Sequence, residues 1–175
     1  VNAGLKAGSA KRVECIIKAA EDAAKGVNMV IISEADNMKW SDATLVSEKS
    51  YNGVQWMERR KVLEKGRAVK VLIRKNLEVN VEDVEWASRS VAITVRGPTC
   101  RYKIVAVHLA HKNDWFKGVS DMMENCCRSQ KQKNDKTIWV GDFNVELNES
   151  DQTGDDVLKL SHLWTSASAL NMSLV

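Results

Sequence analysis

The sequence predicts an α/β chain built as two sheets with helices outside, and three observations predict it. Segments with helical and strand-like apolar spacing follow one another in the order helix, strand, strands, hairpin, helix, strand, helix. Two strand-like runs, Ser90–Arg96 and Tyr102–Leu109, flank Gly97-Pro98-Thr99-Cys100 and so form a hairpin, for which a doubly wound parallel sheet has no natural place. The run Lys136–Val140 ends in Gly141-Asp142-Phe143-Asn144, as a buried strand delivering polar groups to a sheet's rim would. With 175 residues the chain can bury one proper core, and residues 1–175 are expected to be a single domain.

Ser9 can cap a first helix running to about Lys25, because Val13, Ile16, Ile17, Ala20 and Ala24 recur at helical spacing and Gly26 supplies a stop. Val27–Glu34 is an almost continuous apolar run, expected of a central strand covered on both faces, with Glu34 at its end. Met38–Lys65 resists assignment: Trp40, Tyr51 and Trp56 stand among charges, where aromatic rings can stack on bases but more often cover core edges. Val69–Lys75 reads as a strand. On the second strand of the hairpin Tyr102, Ile104, Ala106 and His108 share a face, so the histidine emerges at the end of an apolar row. Asp114 to about Lys133 follows a helical period through Val119, Met122, Met123, Cys126, Cys127 and Gln130. After the central strand, an acidic loop with Asp151, Asp155 and Asp156 can begin a helix carrying Val157, Leu160 and Trp164. There is no internal repeat, low-complexity segment or linker.

The net charge of +3 permits nucleic-acid binding without demanding it. Arg59, Arg60, Lys61, Lys65, Arg67 and Lys70 form one basic cluster, and Arg128, Lys131, Lys133 and Lys136 another; each could track phosphates or be a solvated face. No run of ~18 apolar residues could span a membrane, and the first residues lack a secretory pattern. Cys15, Cys100, Cys126 and Cys127 lack Cys-x-x-Cys spacing and are read as reduced, which fits an intracellular, soluble protein and argues against zinc. Gly4–Lys11 looks loosely like a phosphate loop, but the Walker spacing is not met.

The tetrapeptide Gly141-Asp142-Phe143-Asn144 carries the chemistry. If strand alternation continues through it, Asp142 and Asn144 point the same way, setting a carboxylate beside a carboxamide; taken alone, the same residues also describe a strand entering an Asp/Asn turn. The four residues resemble the signature of the endonuclease/exonuclease/phosphatase superfamily, the deoxyribonuclease-I-like proteins. Three further pieces occur in that family's order: Val1-Asn2-Ala3-Gly4-Leu5 is similar to its opening Asn-x-x-Gly-Leu, Val30–Glu34 to its strand ending in a metal-binding Glu, and Val105–Leu109 to its strand ending in a catalytic His or Tyr. The run Val105–Lys112 and the short connections look most like the endonuclease domains of LINE-type retrotransposons.

The resemblance implies a four-layer α/β/β/α sandwich of two mixed sheets, and a Mg²⁺-dependent phosphodiester hydrolase that nicks DNA. It implies that Glu34 holds Mg²⁺, or Mn²⁺ in its place, that Asp142 orients and deprotonates water, and that Asn144 and Asn2 donate to phosphoryl oxygens. His108 would serve the phosphate or the leaving group. The partner implied is DNA, and the location nuclear if the chain is a retrotransposon endonuclease. Two departures stand beside this. The family's first strand is missing before Asn2, and nothing after Asn144 supplies its closing Ser-Asp-His and last strands; Ser161-His162-Leu163 lacks the Asp and comes too early. The alternative expectation is therefore a partial, catalytically inactive remnant acting as a scaffold or binding subunit, with a partner chain covering the incomplete sheet edges.

Overall fold

The computed structural model describes residues 10–23, 26–33, 45–62, 68–87, 90–109, 114–128, 135–148, 150–170 and 172. Helix α1 spans Ala10–Ala23, and strands β1 (Met29–Ile32), β2 (Leu45–Tyr51), β3 (Val54–Val62) and β4 (Ala68–Arg74) follow. A 3₁₀ turn over Lys75–Asn80 leads to β5 (Val81–Trp86), β6 (Ser90–Arg96) and β7 (Arg101–His108), then α2 (Trp115–Arg128), β8 (Lys136–Asp142) and α3 (Gly154–Ala169). The strands make two four-stranded sheets, ordered β1-β4-β3-β2 and β5-β6-β7-β8. The first is antiparallel throughout; the second is mixed, because β8 joins β7 in parallel.

Strand alternation sorts the apolar side chains into three clusters and hence four layers. Val30, Ile32, Trp56 and Leu72 meet Val13 and Ile17 of α1 on the outer face of the first sheet. Val69, Val71 and Ile73 meet Val91, Ile93 and Ala106 between the sheets. Val105, Val107 and Leu109 meet Trp115, Val119, Met122 and Cys126 of α2 and Leu163 of α3 on the outer face of the second sheet. Each such aliphatic side chain, fully withdrawn from water, contributes about 1.5–3 kcal/mol before the entropy of ordering it is set against that gain. An ion pair from Arg74 to Glu21 fastens α1 to β4, and the Arg74 guanidinium lies 5.5 Å from the centre of the Trp56 ring.

Within the segment that resists assignment from sequence, the described residues 45–62 form a hairpin. Asn52 and Gly53 sit between β2 and β3 with φ of 50° and 76°, the pair of positive values that a two-residue turn requires and that Asn-Gly supplies cheaply. Trp56 and Tyr51 are buried there, so they are core residues, while Trp40 lies outside the described residues. The strand β5 was also hidden, because a bulge between Val81 and Asp83 breaks its alternation. The first basic cluster is not one solvated face. In register, Lys70 pairs with Arg60 and Val71 with Arg59, so the two arginines point to opposite faces of β3, and Lys70 is 4% exposed. In α3 the burial differs from expectation: Lys159, Leu163, Ser166 and Ala167 are buried, whereas Val157 and Trp164 are each 54% exposed.

Candidate functional site

The sheet's parallel ladder brings His108 and Asp142 together. β7 and β8 run in register from Tyr102↔Lys136 to His108↔Asp142, so the two last residues are direct neighbours on adjacent strands, about 4.8 Å apart along the hydrogen-bonding direction. Directly opposed residues share a face. Theirs is the inter-sheet face of Ala106, and His108 is 8% exposed there while Asp142 is half-buried. A histidine and a carboxylate thus stand side by side at adjacent strand ends.

Asn144 reaches the same place by a different route from the one the alternation suggests. β8 ends at Asp142, and Asn144 has a φ of 50°, a left-handed conformation that Asn tolerates because its short side chain can bond locally. Its backbone N–H donates to Asp142 Oδ1 at 3.0 Å, and its side-chain Nδ2 donates to the carbonyl of Leu109, the residue after His108. Leu109 N–H in turn donates to the Asp142 carbonyl at 2.9 Å. The backbone of Leu109 is therefore bracketed by Asp142 on one side and Asn144 on the other. The bond to Leu109 uses one of the two amide hydrogens on Asn144 Nδ2.

Two residues to which the sequence reading gave no role of their own make this geometry possible. Gly141 has a φ of 136°, and a Cβ there would lie 2.1 Å from the Val107 carbonyl oxygen, so only glycine lets β8 approach β7 beside Asp142. Trp115, the first residue of α2 and 1% exposed, donates its indole N–H to the Phe143 carbonyl at 2.7 Å. The signal for it was an indole, which carries one donor, at the start of a helix that must pack on the motif strand. Below the motif, Phe143 and Val145 pack against the α2 core, and Asp156 Oδ1 accepts from Glu146 N–H at 3.4 Å.

Asn2 and Glu34, the expected phosphate donor and metal ligand, lie outside the described residues; β1, the strand that leads to Glu34, is in place. Of the second basic cluster Lys136 is exposed, and the other side chains are outside the description. Among the described residues no three acidic, histidine or cysteine side chains gather as a metal cluster. No helix among them is long and apolar enough to cross a membrane.

No family model and no curated protein matches the sequence. Solved structures do match the fold. The endonuclease domain of TRAS1, a telomere-specific non-LTR retrotransposon, superposes with a TM-score of 0.56 at 13% identity, over 95% of this chain and 69% of its own. The Haemophilus ducreyi cytolethal distending toxin matches with a TM-score of 0.51 at 14% identity, over 94% of this chain and 72% of that one. Two four-stranded sheets face to face between outer helices agree with those neighbours: the chain has the deoxyribonuclease-I-like fold.

Proposed function

We propose that the chain is a metal-dependent phosphodiester hydrolase that nicks DNA. The observation that carries the reading is the registered pair His108–Asp142, with Asn144 tied to both strand ends, at one rim of the two sheets. In the role proposed, Asp142 takes the proton of the attacking water, with its carboxylate already oriented by the Asn144 N–H. Asn144 and Asn2 donate to phosphoryl oxygens whose charge grows in the transition state. His108, largely shielded from water, donates to the phosphate or the leaving oxygen when protonated.

The donor chemistry suits Mg²⁺, with Mn²⁺ as its substitute, because such an ion needs only one or two carboxylates and keeps several waters. Glu34 would hold it, and when bound such an ion would neutralise charge developing on the phosphate. A retrotransposon-type endonuclease would act in the nucleus. The test is nicking of supercoiled plasmid in Mg²⁺ by the chain and by Asp142→Ala. Nicking that disappears on substitution and on chelation supports the proposal, and equal nicking by both proteins ends it.

A second reading, a binding subunit without turnover, is favoured by one feature. β8 pairs with β7 alone among the described strands, and its inter-sheet face exposes Ile138 at 43% and Val140 at 37%. An edge of this kind invites another strand. Absence of nicking from the wild-type chain under any divalent ion, with Ile138 and Val140 protected in a complex, would select this reading.

A further inference from the structure

We infer that Trp115 is a positioning residue for Asp142, acting through the peptide between Phe143 and Asn144. This rests on the hydrolase proposal for its chemical consequence and on the structure alone for its geometry. The peptide unit is planar and trans, so its carbonyl and its N–H point in opposite directions and turn together. Trp115 Nε1 donates to that carbonyl at 2.7 Å. The N–H at the other end, that of Asn144, donates to Asp142 Oδ1 at 3.0 Å. Holding the first group therefore aims the second, and the second fixes the carboxylate.

The grip is rigid on the Trp115 side. The indole is 1% exposed, with Phe116 packed edge-on at 5.0 Å, His162 at 6.0 Å and the Lys159 ammonium 6.0 Å from the ring centre. It has no room to swing. The peptide, by contrast, has no ladder partner, because β8 stops at Asp142. With φ of 50° at Asn144, a flip of this peptide would relieve a conformation that non-glycine residues rarely adopt, so something outside the strand must hold it, and the indole N–H does.

The test uses Trp115→Phe, which removes the donor and part of the ring, together with an isostere, benzothienylalanine at position 115, in which sulfur replaces the N–H and nothing else changes. Amide hydrogen exchange is read at Asn144, with Val105 and Val107 as controls for the intact ladder. In both variants Asn144 exchange is expected to rise about five- to tenfold, with the controls within about twofold. The kcat for plasmid nicking is expected to fall about ten- to a hundredfold with KM nearly unchanged, as a misplaced catalytic group would cause. Exchange at Asn144 that stays at the wild-type value in the isostere overturns the inference, and so does a raised exchange with unaltered kcat. A wild-type chain that never nicks removes the hydrolase proposal, and the exchange measurement still decides whether Trp115 holds the peptide.

Discussion

Replacing Gly141 by alanine tests the contact that sets Asp142 against His108. An added Cβ would sit 2.1 Å from the Val107 carbonyl oxygen and 2.8 Å from its nitrogen, whereas ordinary contact begins at 3.4 Å. β8 must therefore move by about 1.3 Å, the difference between 3.4 and 2.1, against backbone that cannot rotate aside. Two costs add. Forcing a side chain into a φ of 136° costs on the order of 1–3 kcal/mol, and loosening the one or two ladder hydrogen bonds beside it costs about 1 kcal/mol each. The sum is about 2 kcal/mol at the low end, which for a chain of this size lowers Tm by roughly 4–8 °C. Thermal unfolding followed by circular dichroism measures it, with Gly154→Ala as control, because nothing lies within 4 Å of a Cβ at that helix start. The control is expected to be neutral or slightly stabilising. A Gly141→Ala protein melting within about 2 °C of wild type would refute the reasoning, since β7 and β8 would then have slack at the point where they are drawn tightest.

The start of α3 gives a second test. Thr153 caps it and Asp156 returns the bond in a capping box, so Thr153→Ala is expected to cost about 1 kcal/mol in urea unfolding. The hydrogen bonds from the Thr153 side chain and backbone hold the Asp156 carboxyl below the usual aspartate range. A depressed carboxylate stabilises the fold above the unfolded-state pKa, so this contribution is complete above about pH 4 and is lost as the pH falls through the lower folded value. Exchange at the Val157 amide, which donates to the Thr153 carbonyl, should report that loss in wild type and lack it in Asp156→Asn. The thiols give a third test. Burial raises the Cys126 thiol above its ordinary range, so a thiol reagent should label exposed Cys15 and Cys127 rapidly and Cys126 only on unfolding. Fast native labelling of Cys126 would mean that the inner face of α2 does not stay packed on the second sheet.

Much of the fold was legible because periodicity and burial agree where a segment has one wet and one dry face. The β6–β7 hairpin stands where its spacing puts it, within a residue at each end, and α2 begins within a residue of its expected start and is described as far as Arg128. The failures share a cause. In β2, Leu45 and Val46 are half exposed, so an edge strand shows no apolar row, and only Asn52-Gly53 betrayed the hairpin. In β5 the bulge shifted the alternation by one residue at the strand's start. In α3 the buried face is built of Lys159, Ser166 and Ala167 around Leu163, so its polarity ran against the pattern and drew attention to Val157 and Trp164, which face water.

At the site, the sequence singled out His108, Asp142 and Asn144, while the reason these three lie together is in backbone contacts that no pattern displays. His108 and Asp142 are neighbours because a parallel ladder of seven register pairs ends on them. That ladder can close only if residue 141 lacks a side chain, and it can hand the chain over to Asn144 only if something takes the Phe143 carbonyl. Gly-Asp-Phe-Asn thus combines two requirements with different physical origins. The glycine and the left-handed asparagine are demanded by backbone geometry, whereas the bond that the Asp142 carboxylate accepts from the Asn144 N–H does not itself need an acid. If the motif were purely structural, an asparagine at 142 could accept the same bond through its amide oxygen and keep the turn. Asp142→Asn therefore separates the two origins: a stability within about 0.5 kcal/mol of wild type with nicking abolished assigns the acid to chemistry. A large loss of stability in that variant would instead return the carboxylate to the fold.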